Sequence, residues 1–236
     1  SKLVFNAQCG ERGLVSLMVK LRTQSFLEKL IVPAFIFFFQ KLYPFPAINN
    51  PKSHIGGAAG GCVLIKRKAL DKIGGLSAIK DRLIDDCALG QAVKDAGYPI
   101  WLGHGEESFS LRSYDDFSSL SQMVTRTAFA QLGYSNLLLF GTLLGMFLIY
   151  VVPPLSVTWG ASWVGLLGAI SWAMMCLAFW PTLRLYKLSF LWALFLPLTA
   201  LIFEWFTLKS AIAHWRGGHT GWKGRDYASS GDRLNI

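Results

Sequence analysis

The chain has 236 residues, of which 53% are hydrophobic and only 16% are charged, and its mean hydropathy is +0.39. Because soluble domains carry about 25% charged residues, this composition argues against an ordinary soluble protein and against a disordered one. The formal net charge is +9, from 23 Lys and Arg against 14 Asp and Glu. An apolar and basic chain is more typical of a membrane protein facing anionic lipid than of a nucleic-acid-binding protein. We therefore expect membrane lipids as partners, and no nucleic acid.

The cysteines and histidines do not form a metal-binding pattern. None of the four cysteines forms a CxxC pair, and the four histidines are scattered along the chain. This spacing argues against a zinc site and against a disulfide framework, so we predict reduced thiols and no metal site in the chain.

Residues 1–118 hold most of the charge and mix glycine clusters with polar segments, as a folded, water-facing domain does. Within them, residues 30–39 are ten uncharged, apolar residues. This run is too short for a bilayer crossing, which needs about 20 apolar residues. We predict an interfacial helix near residues 25–43 that lies in the headgroup layer, with packing in a protein core as the alternative.

The following segments alternate between strand and helix patterns. A short buried strand, a helix closed by two glycines, a second helix and a further strand are predicted at residues 61–66, 69–73, 83–96 and 100–102. Strands that alternate with helices indicate an α/β layer.

The acidic pair Asp85-Asp86 lies at the start of the second of these helices. A carboxylate in the first turn of a helix is stabilised by the helix dipole, so it stays ionised and able to accept a proton. Simple capping of the helix N-terminus is the alternative explanation of the same spacing.

The rest of the chain has the pattern of a membrane region. Apolar residues recur at helical spacing in residues 119–135, which predicts an amphipathic interfacial helix, again with core packing as the alternative. Residues 127–183 contain no Asp, Glu, Lys, Arg or His, and these 57 residues are long enough for two bilayer crossings. A third apolar run at residues 188–208 carries only one acid, Glu204.

We therefore predict a transmembrane region at residues 136–209 and a basic tail at residues 210–236. The three spans are placed near residues 137–152, 163–183 and 188–208. Pro153-Pro154, together with Gly160, is predicted to form the turn between the first two spans.

Several motifs resemble those of one enzyme family. Residues 60–76 resemble the acceptor half of family-2 glycosyltransferases, in which a strand, a basic pair and a helix lead into Gly-Gly. Residues 85–90, Asp-Asp-Cys-Ala-Leu-Gly, resemble the family's Glu/Asp-Asp-x-x-Leu-Gly motif, and residues 97–100 its Gly-Tyr strand entry. The similarity runs along most of the chain and is closest to the membrane branch that glycosylates lipids, which includes ceramide and bacterial hopene-associated glycosyltransferases. It implies a partial GT-A-like α/β domain followed by a membrane α-helical region.

The resemblance also implies roles for residues in the first part of the chain. Asp86 matches the second acid of the motif, which is the general base in such enzymes, and Asp85 is the acid beside it. Gly60 and Gly61 would lie beside the acceptor pocket, where small residues leave room.

Further substrate-binding candidates follow from two later motifs. Arg126 matches the arginine of the family's Gln/Arg-x-x-Arg-Trp motif, whereas Gln122 is displaced by one position and Thr127 replaces the tryptophan. The tail resembles a Trp-Lys-Gly-Arg-x-Tyr element, which makes Lys223 and Arg225 candidates for phosphate contacts. A juxtamembrane basic anchor is the alternative for these two residues.

The implied reaction is inverting transfer of a sugar from a nucleotide-sugar donor to a lipid hydroxyl, on a hopanoid or a similar polycyclic or isoprenoid lipid. The family's Asp-x-Asp motif, which holds a divalent cation against the diphosphate, is absent from this sequence. We therefore expect a nucleotide-binding half upstream of Ser1, and Mg²⁺ or Mn²⁺ only in the complete enzyme. The alternative function is that of a non-catalytic membrane scaffold or lipid-transport component.

We expect a multi-pass protein of the bacterial cytoplasmic membrane whose catalytic part faces the cytoplasm. Three spans then place the C-terminus outside, whereas the basic tail favours the inside, so the side of the tail stays open.

Overall fold

The computed structural model describes residues 2–114, 116–159 and 162–217. The chain divides into two compact units. The first unit comprises Ser1–Asp115 and Ala178–Ala193, and the second comprises Asp116–Leu177 and Leu194–Ile236.

A three-stranded mixed sheet lies in the first unit. β1 (Leu14–Lys20) is the central strand, between β2 (Val63–Ile65) and β3 (Ile100–Phe109). It pairs antiparallel with β2 and parallel with β3, and Val15 is the register partner of Leu64 and of Trp101. Because β1 is hydrogen-bonded along both edges, it holds β2 and β3, and the segments that follow them, in a fixed register.

Residues 2–114 of the first unit form five helices beside this sheet, together with a 3₁₀ turn at Leu76–Ile79, and the unit also contains the end of a later helix. In chain order they are α1 (Lys2–Cys9), α2 (Phe26–Leu42), α3 (Phe45–Asn49), α4 (Arg67–Lys72) and α5 (Asp85–Asp95). The core that they share with the sheet is apolar and includes Leu14, Ile36, Ile48, Val93 and Leu102, each almost completely buried.

The predicted α/β elements are confirmed, with shifted ends. β2 is three residues long, but Leu17 donates to Cys62 O and Lys66 donates to Gly13 O, so backbone pairing covers most of the predicted strand. The helix predicted at residues 69–73 is α4, and Gly74 and Gly75 follow it with φ of +87° and +75°. These are left-handed conformations that favour glycine, which is why the helix ends there.

α2 is the helix predicted at the membrane interface. Eight of its 17 residues are buried, and Phe37 packs edge-to-face on Phe179 with ring centroids 5.2 Å apart. A capping box begins the helix, because the Ser25 hydroxyl accepts from Glu28 N while the Glu28 carboxylate accepts from Ser25 N. The burial of residues 30–37 favours the alternative that this helix packs in a protein core. The placement of α2 in a headgroup layer stays a prediction.

Glu28 is a buried carboxylate that joins distant parts of the first unit. It is only 1% exposed, and its oxygens accept from the backbone N–H groups of Gln24 at 2.8 Å and Tyr114 at 3.1 Å. Burial raises its pKa, but these hydrogen bonds and the Arg22 guanidinium outweigh burial and hold the pKa below 4.5. The ionised form of Glu28 therefore stabilises the fold.

The remaining helices form the membrane region and the segment before it. They are α6 (Phe117–Thr125), α7 (Ala128–Gln131), α8 (Asn136–Met146), a π-helical turn (Phe147–Val151), α9 (Val152–Trp159), α10 (Ser162–Leu185), a 3₁₀ helix (Phe190–Phe195) and α11 (Leu196–Trp215). Three segments among the described residues are long and apolar enough to cross a membrane: Asn136–Thr158, Trp163–Leu185 and Phe190–Trp215. The prediction of three spans is confirmed in this sense.

The predicted turn at Pro153-Pro154 is wrong, because the first span continues helically through both prolines to Trp159. Proline lacks an N–H group and normally breaks a helix. Here a π-helical turn precedes the prolines, and Val152 N–H bonds to Phe147 O, five residues back. Such local adjustments keep backbone groups bonded in an apolar environment, where a free polar group is costly.

Residues 119–135 form two short helices in place of the one amphipathic helix that was predicted. α6 ends at Thr125 and α7 begins at Ala128, because Thr127 N bonds to Val124 O at 3.1 Å, three residues back, and so leaves the α-helical ladder. Within the second unit, Phe129 is buried against α11 and its N–H bonds to the Ser210 hydroxyl at 3.1 Å.

Candidate active site

The acidic pair Asp85-Asp86 forms the first turn of α5, as the sequence predicted. Asp86 Oδ2 accepts from Gly60 N at 2.8 Å, and Oδ1 accepts from Cys87 N at 2.7 Å. Asp85 is exposed, and its Oδ1 accepts from Asp86 N at 3.0 Å. The second acid is therefore the one that is fixed against another segment of the chain, whereas the first contacts only its neighbour on the helix.

The half-buried position of Asp86 affects its protonation. Burial raises the pKa of its carboxyl group and the Asp85 charge raises it further, while the hydrogen bonds from Gly60 and Cys87 act in the opposite direction. The net result is a pKa above 3.8. A carboxylate with a raised proton affinity that still ionises is suited to accept a proton.

The backbone around Gly60 is held in place by the central strand. The Ser16 hydroxyl of β1 is fully buried, donates to Ala59 O at 2.9 Å and accepts from Ala59 N at 2.8 Å. Both polar groups of Ala59 are thereby satisfied by one side chain. This pair of hydrogen bonds fixes the residue directly before Gly60, and with it the N–H that Asp86 accepts.

α5 is anchored to the loop before β2 by two polar side chains on the helix. Gln91 Oε1 accepts from Gly56 N at 2.7 Å, and its Nε2 donates to His54 O at 2.9 Å. The Lys94 ammonium donates to four backbone carbonyls, among them Ile48 O at 2.6 Å and Ile55 O at 2.9 Å. Gln91 therefore joins α5 to the loop before β2, and Lys94 joins it both to that loop and to the end of α3.

Glycines allow the helix and this loop to approach closely. A Cβ at Gly90 of α5 would overlap the backbone of Gly57, and a Cβ at Gly56 would lie 2.5 Å from the Gln91 Cα. At Gly60 a Cβ would lie 3.2 Å from Asp86 Oδ2. The glycine cluster therefore brings backbone N–H groups up to α5, whereas a place for Gly60 beside an acceptor pocket stays a prediction.

Gly61 has a different environment from Gly60. It is exposed, and a Cβ there would lie 2.8 Å from Cγ2 of Val19 in the sheet, and Val19 supplies all three of its nearest atoms. Its small size thus serves the packing of the sheet, and a contact of Gly61 with substrate stays a prediction.

Cys87 is adjacent to Asp86 but lacks the properties of a nucleophile. Its thiol is buried and donates to Ala58 O at 3.4 Å. Burial, and then the Asp86 charge, raise the pKa of Cys87 to about 12. A thiol in such surroundings stays protonated and unreactive at neutral pH.

The remaining predicted site residues lie elsewhere in the chain. Gln122 is exposed and Arg126 half-buried, and they are one helical turn apart at the end of α6 in the second unit, where Arg126 N donates to Gln122 O at 3.3 Å. Lys223 and Arg225 lie outside the described residues. Their substrate contacts stay predictions.

The described residues contain no preformed cluster of metal-binding side chains. In residues 2–114, 116–159 and 162–217 there is no group of three or more His, Cys, Asp or Glu side chains that could hold a metal ion. Mg²⁺ is commonly held by one or two carboxylates together with substrate phosphates, so binding of a divalent cation stays a prediction for the complete enzyme.

Comparison with known families decides which class of protein this site belongs to. The sequence matches the model for Glycosyl transferase family 21 across residues 13–228. The chain belongs to glycosyl transferase family 21. The match covers all three strands, α5 with Asp86 and the three apolar helices. The prediction of a glycosyltransferase is therefore confirmed. The resemblance had pointed to family 2, whereas the matching model is that of family 21. Neither curated proteins nor solved structures give a match.

The sequence missed the residues that position the site. Ser16, Gln91 and Lys94 bond to partners 35 to 46 residues away along the chain, and no local pattern reveals such pairs. The one usable signal was a polar serine inside the apolar run of β1, since a buried hydroxyl needs a partner.

Proposed function

We propose that this family 21 protein transfers a sugar from a nucleotide-sugar donor to the hydroxyl of a membrane lipid, with Asp86 as the general base. The observation that carries the proposal is the position of Asp86. Its carboxylate is held by Gly60 N at 2.8 Å and Cys87 N at 2.7 Å, at the N-terminus of a helix fixed to the central sheet. Each oxygen keeps a further lone pair with which to accept a proton.

In the proposed step, an Asp86 oxygen accepts the hydroxyl proton of the lipid. The lipid oxygen forms a bond to the anomeric carbon of the sugar as the bond from that carbon to the donor's diphosphate breaks. The nucleoside diphosphate leaves with the bonding electrons, and the anomeric configuration inverts. The N-terminus of α5 favours the ionised form of Asp86 before the proton is transferred.

The step requires ionised Asp86, which gives the reaction an acid limb. Because burial raises the pKa of Asp86 above 3.8, turnover should fall as the pH drops through that raised pKa. In Asp86→Asn, the remaining turnover should no longer fall at this acidic pH.

The finer features of the proposal come from the sequence resemblance. They are a GT-A-like arrangement shared with family 2, a hopanoid or similar polycyclic lipid as acceptor, and a bacterial cytoplasmic membrane with the catalytic part inside. A divalent cation, Mg²⁺ or Mn²⁺, belongs to the complete enzyme in this proposal, and no step above passes through it. Arg126 would offset charge on the departing diphosphate.

The test is a transfer assay with the complete protein in lipid nanodiscs. A panel of nucleotide sugars is combined with extracted polycyclic lipids and with ceramide, and the products are identified by mass spectrometry and their anomeric configuration by NMR. The proposal predicts a glycosylated lipid with inverted configuration from at least one pair. A retained configuration would contradict the single displacement, and absence of product from every pair would favour the non-catalytic scaffold.

A further inference from the structure

A cleft of about 410 Å³ lies in the first unit, and Asp86 is not among the residues that line it. It forms between the C-terminal end of α10, the end of β1 and the C-terminal half of α2. Polar and charged side chains line it from these three elements, from β3 and from the residues just after α10: Lys20, Gln40, His104, Thr182, Arg184 and Lys187.

The cleft is strongly basic. Lys20, Arg184 and Lys187 are cations at neutral pH, and no Asp or Glu is among the described residues that line the cleft. Within the described part of the chain, neither Arg184 nor Lys187 has a carboxylate within ion-pair distance. The partial negative charge at the C-terminus of α10 favours cations such as Arg184 and Lys187 there. It does not explain Lys20, which comes from β1.

The backbone of Lys187 is strained in a way that favours glycine. Its φ is +55°, in the left-handed region. Lys187 N donates to Arg184 O and Leu188 N donates to Leu183 O, both at 3.0 Å, which is the hydrogen-bond pattern of a Schellman C-cap. Glycine is the usual residue at this position, and a strained non-glycine residue tends to mark a functional site. A lysine here places an additional positive charge at the cleft.

The cleft lies at the level of lipid headgroups if α10 crosses the membrane. Arg184 is the penultimate residue of the span Trp163–Leu185, and Lys187 follows the span by two residues. Lys20 also lies near an apolar surface, because its Nζ is 5.6 Å from the ring centroid of Phe109, which is 67% exposed. An exposed phenylalanine beside a lysine is typical of residues at a membrane surface.

We propose that this cleft binds the phosphate group of an anionic membrane lipid. Lysine and arginine side chains from the sheet and from the end of α10 surround a volume large enough for a phosphodiester headgroup. A bound lipid would link the sheet to the end of the second span. The proposal does not depend on Asp86 or on the transfer reaction.

The test measures lipid retention by the complete protein. The protein is reconstituted in phosphatidylcholine nanodiscs containing increasing fractions of phosphatidylglycerol, and native mass spectrometry counts the phosphatidylglycerol molecules that remain bound after release. We compare the wild type with a triple variant, Lys20→Gln, Arg184→Gln and Lys187→Gln. The matched control removes three exposed lysines outside the cleft: Lys52→Gln, Lys68→Gln and Lys80→Gln.

We expect one tightly retained phosphatidylglycerol in the wild type and in the control. Each removed cleft charge should weaken retention by about fivefold, and the triple variant should therefore lose the tightly bound lipid. Equal retention by the triple variant and the control would overturn the proposal.

A second variant guards against misfolding of the triple variant. Lys187→Gly removes one charge from the cleft and relieves the left-handed strain, so its melting temperature should rise while its lipid retention falls. Unchanged retention in this variant would contradict a role for Lys187 in binding.

Soluble phosphates distinguish a lipid site from a nucleotide site. Millimolar uridine diphosphate and inorganic phosphate are added separately to the wild type in nanodiscs that contain phosphatidylglycerol. Persistence of the bound lipid supports the proposal. Displacement of the lipid by uridine diphosphate would overturn it and assign the cleft to a donor diphosphate.

Discussion

Replacement of Gly60 with alanine is expected to slow turnover without unfolding the protein. An alanine Cβ at this position would lie 3.2 Å from Asp86 Oδ2 and 3.3 Å from Asp86 Cβ. Relaxed contacts between such atoms are about 3.5–4.0 Å, so the carboxylate must move by about 0.4 Å. Since a misplacement of about 1 Å costs about 100-fold in rate, we expect kcat to fall by about fivefold.

The assay is steady-state transfer, with melting temperature measured on the same samples. Gly60 is exposed and its φ lies outside the left-handed region, so alanine should change the melting temperature little. Gly145→Ala is the matched control, because a Cβ there meets no atom within 4 Å. Full turnover in Gly60→Ala, or an equal loss in Gly145→Ala, would refute the inference that Gly60 positions Asp86.

Three further predictions concern the fold around the site. Gly90→Ala should destabilise the protein by about 1–3 kcal/mol, measured as a lower melting temperature, because its Cβ overlaps the backbone of Gly57; a wild-type melting temperature would contradict the close packing of α5. Glu28→Gln should cost about 1–3 kcal/mol at neutral pH. Because folded Glu28 has a pKa below 4.5, its contribution is present above that pH and lost as the pH falls through the folded value, so chemical denaturation should show a flatter pH dependence in the variant. Maleimide should label exposed Cys9 in the native protein but not buried Cys87, and rapid labelling of both would show that α5 opens readily.

Local patterns predicted the elements of the site but not the contacts that assemble it. The Asp85-Asp86 pair at a helix start and the glycines that end α4 are local signals, because capping and left-handed backbone depend on neighbouring residues. The central strand β1 was not predicted as a strand. It is buried on both faces at its start and therefore shows no alternation of apolar and polar residues.

Long-range hydrogen bonds explain the rest of what the sequence left out. By sequence, Gln91 and Lys94 resemble ordinary surface residues of a helix, yet both bond to the backbone of the loop before β2, at Gly56 and Ile55. In the second half of the chain, length and hydropathy predicted the three described helices that are long and apolar enough to cross a membrane. The prediction of a turn at Pro153-Pro154 was wrong, because a π-helical turn before the prolines lets the helix continue. The pattern of apolar residues gives no sign of such a turn.

Turnover of Asp86→Asn, measured beside Asp85→Asn, tests the role of Asp86 most directly. Asparagine keeps the size of Asp86 and one oxygen acceptor for Gly60 N–H, but its amide nitrogen can accept neither Cys87 N–H nor the hydroxyl proton. Removal of a buried charge offsets the loss of the hydrogen bond from Cys87 N, so the melting temperature of Asp86→Asn should change little. We predict a loss of about 10²–10⁴-fold in kcat for Asp86→Asn and a much smaller loss for exposed Asp85→Asn. Near-normal turnover of Asp86→Asn in folded, membrane-inserted protein would contradict its assignment as the base.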